Sequence, residues 1–185
     1  MNPLSKFEQW YRSAARAKEA IPEAVALATA SKSGRPSVRF VLYKGIQKNA
    51  FCFFTNYRSP KASQLHRNPQ AEFSVFWPKI YKQVRVYGKV KRLSSKESDA
   101  YWKTRPRLSQ LGGWASPQSQ VITKYSELQK RLHYFEKKFK GIEVPRPPHW
   151  GGFALEPKTI EFWTGENFRL HKRELFFKKK SRWVR

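Results

Sequence analysis

The feature that most limits how this chain can fold is a series of short β-rich segments joined by turns rather than by long helices. In Gln83–Leu93, for example, Val84, Val86 and Val90 alternate with polar residues, as in a strand with one buried face. The sequences SKSGRP and GIQKN between the first segments are typical of hairpin turns. Because no helix-length crossover regularly separates the segments, the pattern favours an α+β, mainly β barrel over a βαβ sheet. The predicted strands are Ala24–Ala30, Ser37–Lys44, Ala50–Asn56, Ala71–Trp77, Gln83–Leu93, Phe153–Leu155, Thr159–Trp163, Leu175–Lys178 and Arg182–Val184.

Helices are predicted around these strands, and a chain of 185 residues fits a single domain, 1–185. Ser59-Pro60 is typical of a helix start, and Ser94 with Glu97 fits a capping box. The predicted helices are Leu4–Ala14, Ser59–Arg67, Ser94–Thr104 and Tyr125–Phe139. The segment Arg105–Gln120 is expected to be a polar loop without secondary structure, which in a compact domain often has a function.

Positive charge is the most unusual property of the composition. Lys and Arg number 38 against 13 Asp and Glu, which gives a net charge of +25 and favours anionic partners, either nucleic acids or phosphorylated small molecules. Asp99 is the only aspartate, Cys52 is the only cysteine, and the histidines lack metal-site spacing, so we expect no metal. Cys52 is expected to be a buried side chain. The chain is expected to be in the reducing cytoplasm, because it shows no signal peptide and no apolar run near the ~20 residues that span a membrane.

Four segments combine cations, hydroxyls and aromatic rings. Arg39–Lys44 is an apolar strand with a cation at each end, and those cations either bind a ligand or are solvated edge charges. Phe54–Lys61 ends a strand and starts a helix, where free N–H groups and Lys61 either bind phosphate or simply cap the helix. Tyr101–Gln120 carries arginines and hydroxyls suited to a phosphate dianion. In Glu161–Arg173, the pattern Arg-x-His-x-Arg predicts three polar side chains on one strand face, suited to an anionic aromatic ligand.

Taken together, these segments resemble the pyridoxamine 5′-phosphate oxidase family over nearly the whole chain. The stretch TRPRLSQLGGWASPQSQVI is similar to the most specific family motif, and VPRPPHWGGF, IEFWTG and RLH-x-R follow with family order and spacing. The resemblance implies an FMN-binding split β-barrel and a homodimer with FMN at the subunit interface. It implies oxidation of pyridoxine or pyridoxamine 5′-phosphate to pyridoxal 5′-phosphate, with hydride passing to FMN and dioxygen giving hydrogen peroxide.

The resemblance also implies the site residues. Arg169 and His171 would lie against the pyridine ring as the catalytic pair that orients the substrate and stabilises developing charge. The substrate would be bound by Lys44, Tyr101, Arg105, Ser109, Arg169 and His171. The flavin contacts would be Arg39, Phe40, Val41, Leu42, Tyr43, Lys44, Phe54, Thr55, Lys61, Gln83, Gln118, Ser119, Trp163 and Arg173.

The chain departs from the family pattern at two positions, and two other functions stay open. Pro60 stands where the family usually has an arginine, for which Arg58 could substitute, and Lys172 stands where it has an acidic residue. A basic nucleic-acid-binding protein is one alternative, suggested by the net charge and by Lys178–Lys180, although no RNP, KH, zinc-finger or helix-turn-helix motif is present. A split-barrel flavin oxidoreductase with another substrate is the other.

Overall fold

The computed structural model describes residues 2–180 and 182–185, which form five α-helices and eight strands. The helices are α1 (Pro3–Arg16), α2 (Pro60–Arg67), α3 (Ser95–Lys103), α4 (Arg107–Ala115) and α5 (Tyr125–Lys138), with short 3-10 helices at Pro78–Ile80 and Asn167–Arg169. The strands are β1 (Ala24–Ala30), β2 (Pro36–Gln47), β3 (Ala50–Asn56), β4 (Gln70–Trp77), β5 (Lys82–Arg92), β6 (Trp150–Thr164), β7 (Lys172–Lys179) and β8 (Arg182–Val184).

The strands form one sheet that closes on itself. Their order is β3-β2-β1-β4-β5-β6-β7-β8, and β3 also pairs with β6, so that six strands make a barrel from which β7 and β8 extend. The β2–β3 hairpin turns at Lys48 and Asn49, whose φ angles of 49° and 62° are the left-handed values that a tight two-residue hairpin needs. This confirms the expected α+β, mainly β fold.

Contacts divide the chain into two compact units. The barrel unit contains the residues up to Phe53, Gln64–Lys91 and Phe153–Arg185, and the helical unit contains Phe54–Ser63 and Arg92–Gly152. A single domain over residues 1–185 stays a prediction. None of the helices in the described part of the chain is both long enough and apolar enough to cross a bilayer.

The core of the barrel unit is centred on an aromatic side chain of α1. Phe7 is fully buried and packs edge-on against Phe51 of β3 and Tyr43 of β2, with ring centroids 4.9 and 5.2 Å apart. Helix α1 forms here because it has a periodic apolar face, on which Leu4, Phe7, Trp10 and Ala14 are all buried. Cys52 is also buried, as expected.

The helical unit has its own core. Trp102 of α3, Leu111 of α4 and Trp150 at the start of β6 are buried in it together with Phe139 and Val144. The indole N–H of Trp102 donates to the Val144 carbonyl at 2.8 Å, which satisfies the polar atom of a ring that is only 2% exposed. The predicted capping box at Ser94 and Glu97 is present at the start of α3.

Two predictions about secondary structure were wrong. Arg105–Gln120 is not an irregular loop, because Arg107–Ala115 forms α4 and buries Leu111 and Ala115, which are four residues apart on one helix face. The two strands predicted at Phe153–Leu155 and Thr159–Trp163 are one strand, β6, which continues through the buried Pro157.

The Arg-x-His-x-Arg pattern does not lie on one strand. Arg169 ends a short 3-10 helix with a φ of 62°, and β7 begins only at Lys172. Within the loop, the Glu166 N–H donates to His171 Nδ1 at 3.1 Å. Of the three polar side chains, only Arg173 is therefore on a strand.

Candidate functional site

A lysine is buried where β3 ends and α2 begins, in the helical unit. Lys61 is 8% exposed, and its ammonium donates to Thr55 Oγ1 at 2.8 Å and to Ser59 Oγ at 3.2 Å. The Ser59 hydroxyl in turn donates to the Asn56 carbonyl at 2.7 Å, which holds the turn between the two elements. The local fold thus directs a cation and two hydroxyls to one point at a helix start.

Gln118 joins this group, which we call the Lys61 cluster (Thr55, Ser59, Lys61 and Gln118). Its Oε1 accepts from Thr55 Oγ1 at 3.1 Å, from the Asn56 N–H at 3.3 Å and from Lys61 at 3.4 Å. Three predicted flavin contacts, Thr55, Lys61 and Gln118, are therefore neighbours. Ser119, the next predicted contact, is exposed with a φ of 66°.

Another predicted contact of the helical unit that carries a positive charge is Arg105, between α3 and α4. Its guanidinium lies over the ring of Trp150 at 4.7 Å and that of Trp102 at 5.0 Å. Within the described residues, the Nη1 atom is buried and makes no hydrogen bond. Burial lowers the pKa of Arg105 because the charged form has lost water. A cation that is desolvated in this way can bind an anion strongly.

Three further predicted contacts of the helical unit, Phe54, Tyr101 and Ser109, have different surroundings. Tyr101 stacks on Phe54 with ring centroids 3.8 Å apart, and the Phe54 ring also stacks on that of Trp150 at 5.5 Å. Ser109 lies exposed on α4. The predicted residues Phe54, Tyr101 and Arg105 thus share one aromatic stack.

In the barrel unit, the predicted segment Arg39–Lys44 alternates between the two sides of β2. Val41 and Tyr43 belong to the core, and Tyr43 donates a hydrogen bond to the Glu8 carboxylate. Burial, followed by this hydrogen bond, raises the pKa of Tyr43. Phe40 and Leu42 are exposed, by 75% and 43% respectively. The outward side chains of Phe40 and Leu42 are thus accessible to a ligand, whereas those of Val41 and Tyr43 are not.

The cations at the two ends of this segment have partners. The Arg39 guanidinium donates to Thr29 Oγ1 at 2.5 Å and to Gln64 Oε1 at 3.5 Å, and burial lowers the pKa of Arg39. Lys44 lies 3.9 Å from the Glu23 carboxylate and is partly exposed. Neither side chain is a freely solvated edge charge.

An aromatic group surrounds His171 in the barrel unit. The rings of Trp163 and His171 are 4.6 Å apart, and Tyr81 lies edge-on to Trp163 at 5.4 Å. Because His171 Nδ1 accepts the Glu166 N–H, the proton of the neutral imidazole is on Nε2, which can donate to a ligand. Arg169, two residues earlier, is exposed.

Arg173 is held on β7 opposite Trp163 of β6. Its Nη1 donates to Glu161 Oε1 at 2.9 Å, and the same carboxylate lies 3.8 Å from Arg85. Gln83 pairs with Phe76 across β4 and β5, and the Phe76 ring is 6.4 Å from that of Trp163.

Comparisons with known proteins show which family the chain is similar to. Residues 13–139 match the family model for pyridoxamine 5′-phosphate oxidase, and residues 150–185 match that for the pyridoxine 5′-phosphate oxidase C-terminal dimerisation region. The pyridoxine/pyridoxamine 5′-phosphate oxidase of Rubrobacter xylanophilus is 45% identical over 184 residues, covering 100% of this chain and 85% of the relative. That of Coxiella burnetii is 47% identical over 182 residues, covering 98% of this chain and 92% of the relative.

The chain belongs to the pyridoxamine 5′-phosphate oxidase family. Members of this family are oxidoreductases, so the chain is an enzyme of that class. The structure of PhzG from Burkholderia lata in complex with tetrahydrophenazine-1-carboxylic acid has a TM-score of 0.93 at 28% identity and covers 99% of this chain and 90% of that one. A pyridoxamine 5′-phosphate oxidase-related FMN-binding protein from Nostoc punctiforme, 20% identical, shares the fold with a TM-score of 0.80, covering 100% and 96%. The split-barrel prediction is confirmed.

The sequence patterns overlooked several residues of these groups. Tyr81 and Phe76 complete the aromatic group around His171, and Trp102 and Trp150 flank Arg105. Two of them could have been noticed, because Trp102 directly follows a predicted contact and Trp150 lies in a quoted family motif.

Proposed function

We propose that this chain is an FMN-dependent oxidase that converts pyridoxine or pyridoxamine 5′-phosphate to pyridoxal 5′-phosphate. The observation that carries the proposal is the buried Nη1 of Arg105, which finds no hydrogen-bond acceptor among the described residues. A phosphate oxygen of the substrate would supply that acceptor through a charge-assisted hydrogen bond. Full-length relatives named pyridoxine/pyridoxamine 5′-phosphate oxidase support this substrate class.

The Lys61 cluster fits the phosphate of FMN. The ammonium and the hydroxyls of Thr55 and Ser59 meet at the start of α2, where backbone N–H groups also favour an anion. We further assign flavin contacts to β2, Trp163 and Arg173, as the family resemblance implies. Bound FMN would supply the hydride acceptor and pass the electrons to dioxygen, giving hydrogen peroxide.

The chain's own residues would then bind and orient the substrate. Arg105 would bind the substrate phosphate, while the faces of Trp102 and Trp150 keep the guanidinium in one orientation. His171 would donate from Nε2 to the pyridine ring system, and Arg169 would stabilise negative charge on it. The substrate carbon C4′ would lose a hydride; the alcohol would also lose a proton to give the aldehyde, and the imine from the amine would be hydrolysed to aldehyde and ammonia.

We propose that the enzyme works as a homodimer. The match of residues 150–185 to a dimerisation region supports this arrangement. So does an apolar row on β2, where Val38 and Phe40 are 70% and 75% exposed, because apolar rows of this kind mark contact surfaces.

Flavin reduction in the absence of oxygen tests the proposed function. The purified protein should be yellow, pyridoxine 5′-phosphate should bleach it without oxygen, and air should restore the colour. Pyridoxine without its phosphate is the control and should bleach it far more slowly, because Arg105 would then lack its anion. A flavin spectrum that does not respond to the phosphorylated vitamers would exclude this substrate class, and a colourless protein that carries nucleic acid would favour a basic nucleic-acid-binding protein.

A split-barrel flavin oxidoreductase with another substrate is the second candidate. It is favoured by the close structural match to PhzG, which is bound to a tricyclic carboxylic acid. The same bleaching assay separates the two, because such an enzyme would be reduced by tetrahydrophenazine-1-carboxylic acid and not by pyridoxine 5′-phosphate.

A further inference from the structure

The loop between β6 and β7 has a backbone conformation that ordinary residues rarely adopt. Phe168 and Arg169 follow one another with φ angles of 56° and 62°, and neither is a glycine. Phe168 is also 92% exposed, so packing of its own side chain does not hold it. Such conformations persist only where the surroundings hold the chain in place. This loop carries the Arg169 and His171 that the proposed function requires.

Tyr81 holds the loop from the β4–β5 connection. The Gly165 N–H, at the start of the loop, donates to the Tyr81 carbonyl at 2.9 Å. The Tyr81 ring fills the space that a side chain on Gly165 would need, since an added Cβ would lie 2.0 Å from its Cδ1 and 2.1 Å from its Cε1. A glycine at 165 and an aromatic ring at 81 are therefore matched to each other.

The same ring also contacts the end of the loop. Its centroid lies 6.4 Å from that of His171 and 5.4 Å from that of Trp163, edge-on in both cases. Tyr81 itself has a left-handed φ of 52° just after the 3-10 helix Pro78–Ile80, and its side chain is still 49% exposed. A strained backbone and a half-exposed aromatic ring contribute little to stability by themselves, which points to another role.

We infer that Tyr81 is a positioning residue, which locks the loop Gly165–His171 and thereby sets the directions of Arg169 and His171. This inference rests on the proposed function for the roles of those two side chains. The lock keeps the Glu166 N–H on His171 Nδ1, so that the proton of the neutral imidazole stays on Nε2. Without the ring, the loop can leave its left-handed conformation and the imidazole can rotate.

A double-mutant cycle between Tyr81 and Gly165 tests the lock. Tyr81→Ala and Gly165→Ala should each lower kcat/KM for pyridoxine 5′-phosphate by about 10- to 100-fold, since small misplacements of binding groups have effects of that size. In the double variant the added methyl group has room, so the combined loss should be no greater than that of Tyr81→Ala alone. Tyr81→Phe keeps the ring and should behave as the wild type. Tyr87→Ala, which removes a tyrosine of the following strand, β5, is the matched control.

The second readout does not depend on activity. Proton–nitrogen correlation NMR of the four histidines, with His171 assigned from a His171→Gln variant, should show the Nε2–H tautomer in the wild type and a mixture in Tyr81→Ala and Gly165→Ala. Additive losses in the double variant, or an unchanged His171 tautomer in both single variants, would overturn the inference. If wild-type flavin is not reduced by the substrate, the proposed function fails, while the NMR result still decides whether Tyr81 positions His171.

Discussion

Arg105 shows at the scale of one residue how a binding group differs from a structural one. Its guanidinium lies against two tryptophan faces, yet its buried Nη1 has no acceptor among the described residues. Removal of such a cation costs folding little, because the desolvation penalty disappears with it. Arg107, two residues later, is the opposite case, since its guanidinium donates to the Ile142 carbonyl at 2.9 Å and to the Phe139 carbonyl.

Arg105→Ala should therefore weaken substrate binding without destabilising the protein. The loss of a charge-assisted hydrogen bond should weaken the binding free energy of the substrate by about 1.5–3 kcal/mol, which raises its dissociation constant by about 10- to 150-fold. Anaerobic titration of the flavin with pyridoxine 5′-phosphate measures it, and thermal unfolding should show an unchanged or higher midpoint.

Arg107→Ala is the matched control for Arg105→Ala. It removes the same charge together with its hydrogen bonds to two backbone carbonyls, so it should lower the unfolding free energy by about 1–2 kcal/mol and change substrate affinity less. If both variants lost affinity equally, general charge rather than a specific contact would explain the binding by Arg105.

At the scale of elements, α4 depends on two adjacent glycines with different surroundings. A Cβ on Gly112 would meet nothing within 4 Å, whereas one on Gly113 would lie 2.8 Å from the Trp102 ring. That ring cannot easily move, because it is buried and its N–H is bonded to Val144. Gly113 thus lets α4 pack closely against α3.

Gly112→Ala and Gly113→Ala should have opposite effects on stability. The first should raise the unfolding free energy by about 0.5–1 kcal/mol, because alanine favours a helix over glycine. The second should lower it by about 1–3 kcal/mol, because the core around Trp102 would be overpacked. Chemical denaturation of the two variants measures both values, and a stabilised Gly113→Ala variant would show that α4 does not pack on Trp102 in this way.

The sequence patterns predicted some elements of the fold and missed others. Alternating side chains predicted strands such as β1 and β5 closely, because each has one buried face. Helix α4 was missed because glycine is ordinarily a helix breaker, and only its contact with Trp102 shows why it is present. The conformation of the Arg169 loop depends on Tyr81, which is remote in sequence, so local periodicity predicted a strand instead. The Lys61 cluster could be predicted from the sequence, because a helix start is a local signal.

At the scale of the whole molecule, the dominant property is a net charge of +25 on 185 residues. The 13 carboxylates are mostly engaged locally, as where Glu174 pairs with Lys6 and lies 3.5 Å from Arg185. Most of the 38 Lys and Arg therefore repel one another, and this field would also attract phosphorylated substrates.

Added salt should consequently stabilise this protein. Raising NaCl from about 0.1 M to about 1 M shortens the screening length from about 10 Å to about 3 Å, which weakens repulsion between separated charges more than attraction within close pairs. Each kcal/mol of relief should raise the midpoint of thermal unfolding by about 2–4 °C for a chain of this size. A variant in which the exposed Lys178 and Lys179 of β7 are replaced by Glu should respond less to salt. If the midpoint instead fell with salt, the few ion pairs would contribute more to stability than self-repulsion removes. The excess of positive charge would then not destabilise the fold, and the idea that the fold tolerates such a cost in order to bind anions would be wrong.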